Sequence, residues 1–424
     1  MEKQYRAVRG TRDILPGEVA RWRFLERTVR EVFARYGFRE IRTPLLEATE
    51  LFARTVGEGS DIVRKEMYTF ARGDESVSLR PENTASVVRA FVEHALHRGI
   101  AAGFPERYFY MGPMFRHERP QKGRQRQFHQ IGVEVLGAPE PLCDAETLEM
   151  LCTFLDALGI GERELVLNSV GDARCRPEFR EALRAWIEPR LPKLCEDCRR
   201  RYAENPMRVF DCKVEEDQAL LRGAPVVADH LCGECRDHFD AVRRAVDAYG
   251  IPHRIDARMV RGLDYYQRTV FEVTSSSSSL GAQNAILGGG RYDGLVEELG
   301  GPPIPGFGFA AGMERLLMLL PEGRNEAKEC DVLIVALGAE GFRASVGMAR
   351  RLRASGLRVV VPLSERPMGA QLKRADKVGA RFALFVGEAE LASGRFGLKN
   401  LTTGEQVEVE EHGIVTLAGE GHGR

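Results

Sequence analysis

A basic run between Phe115 and Gln130 is the part of the sequence with the clearest capacity for binding chemistry. Its sequence, FRHERPQKGRQRQFHQ, contains five Arg or Lys residues and one Glu. The chain as a whole is almost neutral, with 61 Lys and Arg against 62 Asp and Glu, so this charge is a local feature. A solvated surface arm, a nucleic-acid contact and a site for a small polyphosphate are all open readings of it.

The residues at the end of this run alternate in character with a period of two, which is typical of a β-strand. The two predicted faces carry Phe128, Gln130, Gly132 and Glu134 on one side, and Ile131, Val133 and Val135 on the other. The second face is apolar and predicts packing against helices. On the preceding predicted strand, Arg116 and Glu118 also share a face. These polar faces indicate either a ligand platform or the exposed side of a surface hairpin.

Two Cys-x-x-Cys pairs, Cys195 with Cys198 and Cys232 with Cys235, form a second group with potential chemistry. Four thiolates can hold one zinc ion in a tetrahedral structural site. The 33 residues between the pairs exceed the spacing typical of that pattern, so reduced thiols that pack or stay exposed are the alternative. No predicted strand leads into either pair, which disfavours thioredoxin-like chemistry.

Several other segments are ambiguous by themselves. One segment contains Arg261, Asp264, Tyr265 and Tyr266. These residues could orient a polar ligand, or they could form a local ion pair beside two packed rings. The glycines Gly288–Gly290 fit neither GxGxxG nor GxxxxGK[ST], so a dinucleotide or P-loop site is unsupported. The Ser275–Ser279 tract predicts a mobile loop tip. Basic residues over 366–381 predict a solvated helix face, with phosphate contact credible only if other segments indicate nucleic acid.

Hydrophobic periodicity predicts the elements that position these groups. Helices are predicted over residues 17–36 and 83–99, strands over 107–118 and 126–137, and a strand running into a helix over 306–320. The second predicted strand would pack its apolar face against helices and present its polar face on the opposite side of the sheet.

Composition divides the chain into three predicted domains. The charge-rich and largely helical segment 172–255 contains six of the nine cysteines and is interpreted as an inserted domain. Residues 1–171 and 256–325 then form the domain that it interrupts. After the polar segment 321–329, a βαβαβ rhythm predicts a separate, largely parallel α/β domain over residues 326–424.

Bulk properties exclude some classes of function. The near-neutral charge gives no case for wholesale coating of nucleic acid. No segment reaches the roughly 18 apolar residues of a membrane span, and the first residues contain no apolar core of signal-peptide length. We therefore expect a cytoplasmic protein with no membrane partner and with mostly reduced cysteines.

Five segments together resemble the histidyl-tRNA synthetases, a family within the class II aminoacyl-tRNA synthetases. They are, in the family's order, LRPENTA, GPMFRHERPQKGRQRQFHQIGVEVLG, RGLDYYQRTVFEV, GGGRYDGL and GFGFAAGMERL. RGLDYY with TVFE is specific to histidyl enzymes and their close paralogues. The resemblance implies an α+β class II catalytic domain, with an antiparallel sheet flanked by helices, a helical insertion and a C-terminal α/β anticodon-binding domain.

The resemblance also implies an activity. L-histidine and ATP with Mg²⁺ would form histidyl-adenylate, and the histidyl group would pass to the 3′-terminal adenosine of tRNA(His). A homodimer is implied because the Thr43–Pro44 region matches motif 1, which lies at the family's dimer interface. The alternatives are a catalytically silent paralogue that regulates histidine biosynthesis and an RNA-binding sensor module. Such paralogues usually lack the C-terminal domain and have degraded motifs.

Site residues are carried over by matching the family's motifs. The residues implied to contact ATP are Arg116, Glu118, Arg124, Phe128 and Arg315. Those implied to contact histidine are Glu82, Asn83, Thr84, Gln130, Glu134, Tyr265 and Tyr266. Arg116 and Arg261 are the implied catalytic residues, since fixed cations offset the repulsion between the attacking carboxylate and the α-phosphate. Gln121, Arg126 and Lys373 are the implied tRNA contacts. Zinc at the cysteine pairs is not implied, because the insertion varies widely across the family.

Overall fold

The structure, a computed structural model, describes residues 5–57, 60, 62–100, 104–263, 265–280, 284–323 and 330–419. Asp264 and most of the predicted polar linker lie outside the described residues. The chain divides into two compact units, Met1–Arg324 and Asn325–Arg424. Among the described residues, none of the helices combines the length and the apolar character needed to cross a membrane.

A large mixed sheet and a set of helices make up the first unit. Its helices are α1 (Pro16–Arg35), α2 (Thr49–Val56), α3 (Thr84–Glu93), α4 (Pro141–Ala157), α5 (Arg176–Ile187), α6 (Glu196–Glu204), α7 (Glu215–Leu220), α8 (Gly233–Ala248), α9 (Leu295–Glu298) and α10 (Met313–Leu319). Its strands are β1 (Arg39–Glu40), β2 (Leu46–Ala48), β3 (Tyr68–Arg72), β4 (Glu75–Leu79), β5 (Glu106–Phe115), β6 (Gln127–Leu136), β7 (Glu164–Ser169), β8 (His253–Ile255), β9 (Gln267–Thr274), β10 (Ala285–Arg291) and β11 (Gly306–Gly312).

Eight of these strands form one sheet in the order β1-β5-β6-β11-β10-β9-β7-β8, and β2-β4-β3 form a small second sheet. The pairs from β5 to β7 are antiparallel, whereas β1 pairs with β5 and β8 with β7 in parallel. One face of the large sheet is covered by α1, α4 and α8, which bury their apolar stripes against it. The Phe33 ring of α1 contacts Phe154 of α4 with ring centroids 5.2 Å apart.

The period-two prediction for β6 is confirmed. Ile131, Val133 and Val135 are buried in the core beneath α1 and α4, while Phe128 and Glu134 line a cavity on the opposite face. The predicted helix over 17–36 is α1, and it buries residues of both its early and its late turns. Alternation and helical spacing are local properties of the chain, so both could be read from the sequence.

The segment 172–255, every residue of which the structure describes, contains α5 to α8 and short 3₁₀ turns, with β8 as its strand. Its contacts group it with the rest of the first unit. The Ser275–Ser279 tract lies between β9 and β10 and forms serine-bonded turns. The hydroxyl of Ser275 accepts from the Ser277 N–H at 3.2 Å, and that of Ser277 from the Ser279 N–H at 3.3 Å.

The second unit is an α/β fold. Its helices are α11 (Gly338–Ala354), α12 (Met368–Lys377), α13 (Glu388–Ser393) and α14 (Glu411–Gly419), and its strands are β12 (Cys330–Ala336), β13 (Val359–Val360), β14 (Ala380–Val386), β15 (Phe396–Asn400) and β16 (Gln406–Val409). The sheet order is β13-β12-β14-β15-β16. The strands β13, β12 and β14 are parallel to one another. β15 pairs antiparallel with β14, and β16 pairs antiparallel with β15. The predicted βαβαβ rhythm is confirmed for β12, β13 and β14, whereas the antiparallel strands β15 and β16 were not predicted.

Candidate active site

A cavity of about 1000 Å³ opens on the polar face of the large sheet. Most of the residues predicted to bind histidine or ATP line it, namely Glu82, Thr84, Arg116, Glu118, Arg124, Phe128, Gln130, Glu134, Arg261, Tyr265, Tyr266 and Arg315. They come from the start of α3, the β5–β6 hairpin, the segment before β9, and α10. The strand order of the sheet is what brings these distant segments together.

Glu134 is the most deeply buried acid of the cavity, with 1% of its surface exposed. Its carboxylate accepts hydrogen bonds from the Thr84 hydroxyl at 2.8 Å and from the Tyr292 hydroxyl. Burial raises the pKa of Glu134 to about 8. Gly308 on the neighbouring strand leaves room for it, because a Cβ there would collide with the carboxylate. The result is an acid held in a fixed position in a nearly dry site.

A second buried acid, Glu82, lies at the start of α3. Its carboxylate accepts from the backbone N–H groups of Thr84 at 2.7 Å and Ala85 at 3.0 Å. Burial raises the pKa of Glu82, although these two donors oppose the shift. Thr84 therefore contacts both acids, Glu82 through its backbone and Glu134 through its hydroxyl.

Tyrosine rings surround Glu134. The rings of Tyr265 and Tyr266 are 4.7 Å apart between centroids, and Tyr292 lies 5.7 Å from Tyr265. Tyr110 stands opposite Gly132 in the β5–β6 register, and its phenol occupies the space that a side chain at Gly132 would fill. Among the described residues the Tyr110 hydroxyl has no hydrogen-bond partner. Phenols that ring a carboxyl suit a flat polar ligand with two hydrogen-bonding atoms.

Gln130, on the same face of β6, also presents an unsatisfied group. Its side-chain oxygen Oε1 is buried and accepts no hydrogen bond from the described residues. A buried acceptor without a partner costs about 1–3 kcal/mol. The amide of Gln130 lines the cavity, so a ligand with a donor group can satisfy it there.

The β5–β6 hairpin supplies one cationic and aromatic surface of the cavity. The Arg116 guanidinium donates from Nε to the Pro81 carbonyl at 2.8 Å and lies 5.3 Å from the centre of the Phe128 ring. Glu118 is paired with Arg124 at 3.3 Å. Arg116 is thus anchored through one nitrogen, which leaves its other donors for an anion.

Arg261 is held over the glycines of β10. It donates from Nη1 to the Glu272 carboxylate at 2.6 Å, and a Cβ at Gly288 would lie 2.5 Å from its Cζ. The glycine at position 288 therefore makes room for this guanidinium. The tract GGG belongs to a strand, which agrees with the absence of a nucleotide-loop pattern.

Arg315, at the start of α10, provides a third cation. It donates to the Ala285 carbonyl and lies beside Gly123, whose φ is +74°. Burial and then the positive charge of Arg124 lower the pKa of Arg315. Three guanidinium groups, from three separate segments, thus line one cavity, which is the arrangement expected for a polyphosphate.

Two matches with known families correspond to the two units. The family model "Histidyl-tRNA synthetase" matches residues 10–316, and the model "Anticodon binding domain" matches residues 331–417.

The chain belongs to the histidyl-tRNA synthetase family.

Individual members of the family resemble the chain over almost its whole length. The proteins named Histidine–tRNA ligase of Syntrophotalea carbinolica and Geobacter metallireducens are each 49% identical to it, over 96% and 95% of the chain and 96% of each relative. The structure of apo histidyl-tRNA synthetase from S. aureus has a TM-score of 0.81 and 38% identity, and the match covers 98% of this chain and 99% of that one. The predicted class II α+β fold with a C-terminal anticodon-binding domain is confirmed by these matches.

Asn83, predicted to contact histidine, lies next to the cavity residues Glu82 and Thr84. It is not among the residues that line the cavity. Its side-chain oxygen accepts from the Thr43 hydroxyl at 2.7 Å and from Arg80 at 3.0 Å, on the side toward β2. Asn83 is the N-cap residue of α3, and these bonds tie the start of that helix to the segment before β2.

The residues predicted to contact tRNA are not among those that line the cavity. Gln121 is exposed in the turn of the β5–β6 hairpin, where its backbone pairs with that of Arg124. Arg126 packs its aliphatic chain on Gly10 and directs its guanidinium toward the Glu118 carbonyl, 3.4 Å from Nε. Lys373 is exposed on α12 of the second unit. Both exposed side chains are available to a macromolecular partner.

The predicted zinc site made of Cys195, Cys198, Cys232 and Cys235 is wrong in its grouping. The first pair lies with Cys212 and Asp217, and the second pair with Asp172 and Cys175. Each pair begins a different helix, α6 or α8, so the two pairs occupy separate places in the insertion. Spacing along the sequence identified the pairs but could not show which other residues fold against them.

Three residues of this synthetase site were missed from the sequence. Glu272 holds Arg261, Tyr292 donates to Glu134, and Tyr110 faces Gly132. Tyr292 follows the glycine tract, and the sequence pattern there does not show which way the ring points. Tyr110 could have been found, because a glycine in the middle of a polar strand face indicates a bulky neighbour across the pair.

Proposed function

We infer that this cavity activates L-histidine with ATP and transfers the histidyl group to tRNA, so that the chain is a histidine–tRNA ligase. Relatives of that name match nearly the full chain at 49% identity. The observation that carries the inference is the buried pair Glu82 and Glu134, with its ring of phenols, in the same cavity as three guanidinium groups. One half suits an amino acid with a polar ring, and the other suits triphosphate.

We propose that the histidine ring lies between Glu134 and the phenols of Tyr265 and Tyr266. A ring N–H can donate to the Glu134 carboxyl, while a phenol satisfies the second ring nitrogen. The α-ammonium group then has three nearby acceptors in the cavity, namely the Glu82 carboxylate, the Thr84 hydroxyl and the unsatisfied amide oxygen of Gln130. An analogue without the ring nitrogens would leave buried polar groups unpaired, which supports selection of histidine by about 10⁴-fold.

Adenylate formation joins the histidine carboxylate to the α-phosphate with release of diphosphate. Both reactants are anions, so catalysis requires fixed cations where negative charge develops. We propose that Arg261 contacts the attacking carboxylate and the α-phosphate, that Arg116 contacts the α-phosphate, and that Arg315 contacts the γ-phosphate. The bond from Arg261 to Glu272 orients its guanidinium before substrates arrive.

The nucleotide has its own proposed contacts. Adenine stacks on Phe128, its exocyclic amine donates to Glu118, and Arg124 reaches the outer phosphates. Mg²⁺ enters with ATP as part of the nucleotide substrate. Carboxylate oxygens of Glu118 and Glu272 line the cavity, and oxygen ligands of this kind suit that ion.

For tRNA we propose contacts from two places. Gln121 and Arg126 at the β5–β6 turn would meet the acceptor end, and the basic helix α12 with Lys373 would meet the anticodon region. We further propose a cytoplasmic homodimer whose interface includes the Thr43–Pro44 region. Light scattering that gives the mass of a single chain at micromolar concentration would contradict the dimer. The reading as a regulatory paralogue is disfavoured, because the catalytic arginines and the anticodon-binding unit are both present.

The decisive experiment is histidine-dependent exchange of diphosphate into ATP by the purified protein. Exchange should require L-histidine and should be lost by at least about 100-fold in Arg261→Ala, because the residue acts where charge develops. Arg243→Ala, which removes an exposed guanidinium of α8, is the matched control and should keep wild-type exchange. A folded wild-type protein that shows no exchange with histidine would overturn the proposed function.

A further inference from the structure

All six cysteines of the insertion lie in two clusters, each made of three cysteines and one aspartate. The first thiol cluster consists of Cys195, Cys198, Cys212 and Asp217, and the second thiol cluster of Asp172, Cys175, Cys232 and Cys235. Within each cluster the sulfur atoms and one carboxylate oxygen lie within 4.8 Å of one another. Each cluster contains one Cys-x-x-Cys pair, so the two pairs do not combine into the single site that was predicted.

Distances in both clusters agree with tetrahedral coordination of zinc. With Zn–S bonds of about 2.3 Å and Zn–O bonds of about 2.1 Å, a tetrahedron places two sulfurs about 3.8 Å apart and a sulfur and an oxygen about 3.6 Å apart. The sulfurs of Cys195 and Cys212 are 3.9 Å apart. The Cys212 sulfur is 3.3 Å from an Asp217 oxygen, and in the second cluster the Cys175 sulfur is 3.5 Å from an Asp172 oxygen.

The backbone conformation at the first cysteine of each Cys-x-x-Cys pair is the same in both clusters. Cys195 has φ −62° and ψ 163°, and Cys232 has φ −64° and ψ 163°, and each is the N-cap residue of its helix. The Cys198 N–H points at the Cys195 sulfur at 3.4 Å, and the Cys232 N–H at the Cys175 sulfur at 3.2 Å. These backbone donors hold the two sulfur atoms in fixed positions within their clusters.

Burial makes the clusters difficult to explain as ordinary packing. Cys198 and Cys235 are fully buried, and Cys175 and Cys212 are 3% and 4% exposed. Three sulfurs that face one buried carboxylate offer poor apolar contact, whereas a divalent cation satisfies all four groups. We propose that the insertion binds two zinc ions, one in each thiol cluster, each held by three thiolates and one aspartate.

Zinc binding at either cluster requires no further reactant. In each cluster three thiols release their protons to solvent, the carboxylate is already ionised, and no electron is transferred. The resulting site has a net negative charge. In the second thiol cluster Arg174 offsets part of that charge, since it donates to the Asp172 carboxylate at 2.7 Å.

The two ions would have different structural roles. The second would join the chain entering the insertion at Asp172 to Cys232, and thereby close a loop in which Cys175 and Cys232 are 57 positions apart. The first would join α6 to Cys212 and α7. Cys212 lies on the wall of the active-site cavity, so the first ion would also stabilise that wall.

Metal analysis of the full-length protein, purified under reducing conditions without added zinc or chelator, tests the proposal. We expect about two zinc ions per chain. Cobalt added to zinc-depleted protein should give the intense visible bands of tetrahedral sites and a thiolate charge-transfer band. A zinc content near zero, together with no thiolate band after cobalt addition, overturns the proposal.

Matched cysteine variants assign the ions to the clusters. Cys198→Ser and Cys235→Ser should each lower the zinc content from about two ions to about one, whereas Cys152→Ser on α4, outside both clusters, should retain both. Circular dichroism identifies a variant that fails to fold, and the cobalt spectrum of the wild type remains a test that does not depend on any variant. A content of two in both cluster variants, or wild-type cysteines joined as disulfides, would also overturn the assignment.

Discussion

Gly288→Ala should damage catalysis through Arg261 while leaving the fold intact. The new methyl carbon would lie 2.5 Å from Cζ and both terminal nitrogens of Arg261, whereas ordinary contact begins near 3.4 Å. The guanidinium must therefore move by about 1 Å, and a displacement of that size at a reacting centre can lower the rate by about 100-fold. The atoms met are the far end of a flexible side chain, so the free energy of unfolding should change by about 1 kcal/mol at most.

The assay is histidine-dependent ATP–diphosphate exchange for Gly288→Ala, Arg261→Ala and the double variant. Because the methyl group acts only by displacing Arg261, it should have almost no further effect once that side chain is absent. Gly161→Ala, where a Cβ meets nothing within 4 Å, is the control for the chemical change. Full exchange in Gly288→Ala, or a loss that multiplies with that of Arg261→Ala, would refute the reasoning.

Three other predictions concern the buried groups. Tyr292→Phe removes a hydrogen bond to the Glu134 carboxylate and should raise KM for histidine by about 10- to 100-fold, as measured by exchange kinetics, while an unchanged KM would contradict the role. The pKa of Glu134 is raised to about 8, so the folded protein favours the neutral acid. The contribution of Glu134 to stability is therefore present at low pH and lost as pH rises through about 8. The free energy of unfolding, measured against Glu134→Gln in urea, should fall between about pH 5 and 8, and a rise would exclude the shift. Asp144→Asn removes the fully buried carboxylate that pairs with Arg291 and leaves Asp293, 3.1 Å from the guanidinium, as the remaining carboxylate partner. The free energy of unfolding should fall by about 3 kcal/mol, as measured by urea titration, and a loss below about 1 kcal/mol would show that Asp293 alone balances the buried charge.

Local patterns predicted the parts of the site that depend on local geometry. The alternation around Gln130 gave the face of β6 that lines the cavity, since a strand repeats every two residues wherever it lies in a fold. The helical spacing around Val29 likewise gave the buried face of α1. The motif resemblance supplied the rest of the cavity residues, because distant segments meet only after the sheet has formed.

Sequence reasoning is weakest where the partner of a side chain comes from elsewhere in the chain. Asn83 stands next to two cavity residues in sequence, yet its side chain turns toward Thr43 and Arg80. The cysteine pairs were visible, but Cys212 and Cys175 join them only through the turns between helices. In the second unit, β15 and β16 extend the sheet in antiparallel fashion, and the βαβαβ rhythm did not predict them.

Thr84 also fixes the distance between the two buried acids of the cavity, Glu82 and Glu134. Its backbone N–H donates to Glu82 and its hydroxyl donates to Glu134. A single residue therefore fixes the separation between Glu82, the proposed acceptor for the ammonium group, and Glu134, the proposed acceptor for a ring N–H. A ligand must span that separation to satisfy both acids at once. An amino acid with the same ring but one methylene more or fewer would contact only one of the two acids. In the proposed binding mode, the site therefore measures the distance between the two ends of histidine as well as recognising each end.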